Sequence, residues 1–105
     1  KKKSAYDAST KADLRNLMTA QESYFASEGT YGSISQASAG DGIQVGSTDP
    51  DSTQASDGVA VGGANGSDTW YATASHQSSD NTFCVAVNTG STQGQVFNST
   101  GGTCP

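Results

Sequence analysis

The chain has 105 residues, five of them Lys or Arg and ten Asp or Glu, for a net charge of −5. That length holds one domain at most, and an acidic chain whose bases all lie before residue 16 excludes a broad nucleic-acid-binding surface. Val, Ile, Leu, Met, Phe, Tyr and Trp supply only 19 residues against 41 Ser, Thr and Gly, so the core must be thin and in need of a staple.

Ser4 is placed to N-cap a helix, with Asp7 at the third position of a capping box. Tyr6, Leu14, Leu17, Met18, Gln21, Tyr24 and Phe25 then recur at helical spacing, while Lys11, Asp13, Arg15, Asn16, Glu22 and Ser23 fall mostly outside that face. Gly29 suits the left-handed residue that closes a helix, which predicts a helix over 4–28. Its large apolar residues crowd into the second half. Leu14, Leu17, Met18, Tyr24 and Phe25 are therefore expected to form the helix–sheet core, with the first half, Tyr6 included, projecting as a stem.

Residues 29–57 read as a connecting loop anchored by Ile34, Ile43 and Val45, with one short strand at 42–46. From residue 58 to the end the pattern changes to period two. Strand candidates at 58–61, 69–76, 82–87 and 95–97 are separated by Gly, Ser, Asn and Asp clusters. Trp70, Ala72 and Ala74 share one strand face, as do Phe83, Val85 and Val87. The expected class is α+β: one long N-terminal helix on a small antiparallel sheet of about four strands.

Cys84 and Cys104 are the candidate staple, a disulfide tying the C-terminal tail to the sheet and implying an oxidising compartment. Two buried free thiols are the alternative. Charge is laid out unevenly, +3 over residues 1–15 and −8 beyond. Nothing resembles a catalytic site. There is no nucleophile elbow and no phosphate loop, and the lone His76 reads as an exposed surface residue. Neither a cofactor nor a metal site is expected. The acidic run 49–58 lacks the sixth-position glycine and closing glutamate of a calcium loop and reads as solvated. Two sequons begin at Asn65 and Asn98. Aromatic residues along the helix read as packing residues before they read as an electron path.

Ala12-Asp13-Leu14-Arg15-Asn16-Leu17, Glu22-Ser23-Tyr24-Phe25 and Gly29-Thr30-Tyr31, followed by a hairpin-rich half and a late cysteine pair, resemble a type IV pilin. The match is specific over the first 32 residues, with Gly32 standing where the family often has proline. The resemblance implies a soluble head domain preceded in the natural protein by an apolar half-helix with a methylated N-terminal phenylalanine. It implies a structural subunit, not an enzyme, held in the inner membrane before assembly and then polymerised through that missing helix into an extracellular helical filament. Lys11, Arg15 and Tyr6 would be subunit contacts, with the basic segment facing acids such as Asp41, Asp49 or Asp51 of a neighbour. A type II secretion pseudopilin is the alternative within that class. A monomeric extracellular binding module using Trp70 and Tyr71 is the alternative outside it.

Overall fold

A computed structural model describes residues 2–46, 53–87 and 94–99. Helix α1 (Lys2–Glu28) has 27 residues and, at 1.5 Å per residue, runs about 40 Å. That matches the 41 Å long axis of the domain, so the helix lies along the whole body. It ends where glycine permits. Gly29 has φ +76, and its N–H donates to the Phe25 carbonyl at 2.8 Å, the single bond of a left-handed cap. The start differs from the sequence expectation. The helix is already formed at Lys2, so Ser4 sits inside its first turn and is not the N-cap. Asp7 likewise turns away from the helix end, toward the sheet.

Among the described residues seven strands follow, in two antiparallel sheets. The first sheet is β1 (Ile34–Gln36), β2 (Gly42–Val45) and β3 (Thr53–Gln54). Its centre, β2, alternates between half-buried and buried residues, with Ile43 and Val45 inward. A three-stranded sheet thus replaces most of the expected loop over 29–57, which held one strand in the sequence reading. These strands have two to four residues each, too short for a two-residue period to stand out.

The second sheet has the order β4-β5-β6-β7, from β4 (Val59–Asn65), β5 (Trp70–His76), β6 (Thr82–Val87) and β7 (Phe97–Asn98). On β5 the residues Trp70, Ala72, Ala74 and His76 are buried and alternate with exposed or half-buried neighbours. The register pairs Ala72 with Val85 and Ala74 with Phe83, which joins the two inward faces across adjacent strands. Leu14 and Leu17, both at 0% exposure, meet these residues in one cluster that also holds Ile43, Val45, Val59 and Tyr31. Met18, Tyr24 and Phe25 pack at its margin, half-buried. No helix is long and apolar enough to cross a membrane among the described residues.

Two side-chain amides join these parts. Gln21, fully buried on α1, accepts the Gly32 N–H at 2.9 Å and donates to the Gly32 carbonyl at 2.8 Å. A Cβ on Gly32 would lie 2.8 Å from Gly46 N and from Val45 Cγ1, and a proline there would have no N–H for Gln21 to accept. Glycine at position 32 therefore has a local cause. Gln36 on β1 accepts the Val61 N–H at 2.8 Å and donates to the Val59 carbonyl at 3.1 Å, so one side chain bridges the two sheets.

Candidate functional site

The first half of α1 carries Tyr6, Lys11 and Arg15, the residues singled out as subunit contacts. It does not project. Tyr6 stacks on His76 with ring centroids 3.9 Å apart and planes within 8°. Asp7 accepts hydrogen bonds from Ser79 Oγ at 2.7 Å and Asn81 Nδ2 at 2.6 Å, at the turn between β5 and β6. Thr10 is fully buried, its hydroxyl donating to the Tyr6 carbonyl. Lys11 Nζ lies over the Phe83 ring, 5.4 Å from its centroid. Arg15 alone of the three faces solvent.

Polar docking explains why hydrophobic spacing misses this contact. Asp13, assigned to the outer face, is only 3% exposed. Its carboxylate accepts the Ser56 N–H at 2.8 Å and the Ser56 hydroxyl at 3.1 Å. A buried carboxylate is tolerable when its oxygens are bonded in this way. The one sequence signal was spacing: Tyr6, Thr10, Asp13, Leu17 and Gln21 fall at three- and four-residue intervals regardless of polarity.

His76 also departs from expectation. It is 8% exposed, not a surface residue, and its Nδ1 accepts the Ser78 N–H at 2.9 Å. The neutral ring therefore carries its proton on Nε2. Trp70 is 1% exposed, with its indole N–H unpartnered among the described residues. Buried to that degree, it offers no platform for a ligand ring, and the pairing of Trp70 with Tyr71 as a binding surface is withdrawn. Tyr71 is exposed.

A second polar cluster lies at the other end of the helix. Tyr31 is buried against Phe25 (ring centroids 4.6 Å) and Trp70 (6.4 Å), and its hydroxyl donates to Glu22 at 3.0 Å. Burial, then the bond to Glu22 and the charges of Glu22 and Asp68, push the Tyr31 phenol above its ordinary value of 10.0.

No group of three or more His, Cys, Asp or Glu is arranged to hold a metal among the described residues. Asp49 and Asp51, in the acidic loop, lie outside those residues, as does Cys104, while Asp41 is exposed. Cys84 is fully buried on β6. No protein-family model matches the chain, and no curated protein or solved structure shows significant similarity to it.

Proposed function

We propose that this chain is the head domain of a type IV pilin, a structural subunit that acts by polymerising into an extracellular filament and displaying its surface. The observation that carries the reading is the helix. It runs the full length of the body, is fixed to the sheets along one side, and leaves Ala12, Arg15, Asn16, Thr19 and Ser23 outward on the other. A helix built in this way can extend upstream into an apolar segment while presenting a polar face to a second subunit. The two sheets, bridged by Gln36, form the head against which the helix packs. Membrane anchoring before assembly and the absence of a catalytic role belong to the same proposal.

A Cys84–Cys104 disulfide belongs to it as well. Supporting it, no described cysteine is a free thiol, and Cys84 sits where a tail could be tied to the sheet. Alkylation before reduction should leave both cysteines unlabelled.

The testing experiment is expression of the full-length gene in a pilus-forming host, with sheared filaments probed by antibody to this domain. Filaments should carry the epitope, and Arg15→Glu should lower filament yield while leaving the melting temperature of the isolated domain within about 2 °C, as expected for an exposed charge. Monomeric secreted protein with no filament fraction would end the reading.

A further inference from the structure

The docking of the first helical turns brings an acid, an amine and a carboxamide into one crevice. Asp7 and Lys11 are four residues apart on α1 and so share a face. Asn81 immediately precedes β6, whose second residue is Phe83, and both side chains line the same crevice. Asp7 Oδ2 is 2.6 Å from Asn81 Nδ2, and Lys11 Nζ lies 5.4 Å from the centre of the Phe83 ring. Together these residues line one crevice, whose remaining walls are Ser4, Val96, Phe97 and Asn98. Lys11 and Asn81 line the same crevice, so rotation of the flexible lysine stem can turn its nitrogen from the Phe83 ring toward the Asn81 carboxamide.

We propose that this cluster is a self-modification site at which Lys11 and Asn81 join in an intramolecular amide bond, with Asp7 as the catalytic acid–base. Asp7 takes a proton from the Lys11 ammonium. The freed amine attacks Asn81 Cγ, forming the Nζ–Cγ bond and a tetrahedral intermediate. The carboxylic acid of Asp7 then returns its proton to Nδ2, the nitrogen it already faces, and the Cγ–Nδ2 bond breaks. The second amine proton goes to the released ammonia, which departs as ammonium. No oxidant, metal or nucleotide is needed. The protein provides proximity, which replaces a slow bimolecular aminolysis by a positioned one, and a carboxyl group that moves the proton between the two nitrogens. Ser79 Oγ, bonded to the other Asp7 oxygen at 2.7 Å, fixes the carboxyl for that transfer.

The product would tie the start of the helix to the sheet covalently, at the end of the body where docking is polar and large aliphatic side chains are few. This inference stands apart from the filament proposal, and the filament experiment does not bear on it.

The test is the intact mass of the purified chain after denaturation and reduction. The expected mass is lower than that of the sequence by one ammonia, and a proteolytic digest should yield a branched peptide joining the segments that contain Lys11 and Asn81. Lys11→Arg, which retains the charge over Phe83, should restore the full mass, as should Asn81→Ala and Asp7→Ala. The wild-type mass needs no variant to fold, so it decides the question by itself. Full mass in wild-type protein after prolonged incubation at neutral pH overturns the proposal. So does an ammonia loss that persists in Lys11→Arg, which would report cyclisation at Asn65-Gly66, or a branch that maps to Asn98.

Discussion

Replacing Gln21 isolates one fully buried polar contribution to the way the helix is held. Its side chain is fully buried and makes both of its hydrogen bonds to the backbone of Gly32, at 2.9 and 2.8 Å. Gln21→Leu keeps nearly the same volume but strands the Gly32 N–H and carbonyl in the interior. Each stranded group costs about 1–3 kcal/mol, offset by roughly 1 kcal/mol for the easier burial of leucine, so the net loss should be about 1–5 kcal/mol. Against a total stability of about 5–15 kcal/mol for a domain of this kind, the urea midpoint should fall plainly at unchanged slope. Gln21→Glu sharpens the test. A protonated glutamic acid presents one acceptor and one donor, as glutamine does, whereas its carboxylate has no donor for the Gly32 carbonyl and is a buried charge. The folded state should therefore raise the carboxyl's affinity for its proton. The deficit relative to wild type should be small below the ordinary glutamate range and should grow as pH rises through the raised value. A Gln21→Leu loss below about 0.5 kcal/mol, within the range of surface substitutions, or a Gln21→Glu deficit that does not change with pH, would refute the reasoning.

Two further outcomes follow from the helix contacts. Leu17→Ala, at a fully buried site, should cost about 2–5 kcal/mol in denaturant melts, and Tyr6→Ala about 1–2 kcal/mol, because it loses the stack on His76. A Tyr6→Ala cost near zero would mean that the first turns are not docked. The Tyr31 phenol is held above its ordinary value, chiefly by burial and then by the bond to Glu22, so the fold favours the protonated form. That contribution is complete below the ordinary tyrosine range and is lost as pH rises through the raised value. In an alkaline titration followed by ultraviolet absorbance, Tyr31 should ionise above the ordinary tyrosine range, and Tyr31→Phe should abolish that late step.

Much of the layout was legible because its signals are local. Gly29 marks the helix end by its own chemistry, and the alternation of β5 is seven residues long, enough for the period to register. The first half of the helix was misread because burial was inferred from apolarity. Thr10 and Asp13 are both buried, yet Thr10 is satisfied by the helix backbone itself and Asp13 by Ser56, distant in sequence. The same holds for His76, whose burial depends on Tyr6, 70 positions earlier. Of the first sheet, β2 falls within the strand expected at 42–46, while β1 and β3 were hidden by brevity, since two or three residues cannot show a pattern. The site cluster of Asp7, Lys11 and Asn81 needed the fold as well, because only the docking of helix on hairpin turn brings the three together.

The amide of Gln36 has a consequence for how copies of this domain can associate. A long unpaired strand edge invites a foreign strand to add to it. Here the seven-residue β4 is the longest strand at an edge, and its Val59 carbonyl and Val61 N–H are already engaged by Gln36. Asn65, at its far end, donates to the Tyr31 carbonyl. The other edge strands, β1, β3 and β7, have two or three residues each, too few to template a ladder. Strand donation between copies is therefore disfavoured at every described edge, and a growing polymer of this domain would not compete with an amyloid-like one. Gln36→Ala should uncover that competing route, turning a soluble protein into one that seeds thioflavin-positive aggregates on heating.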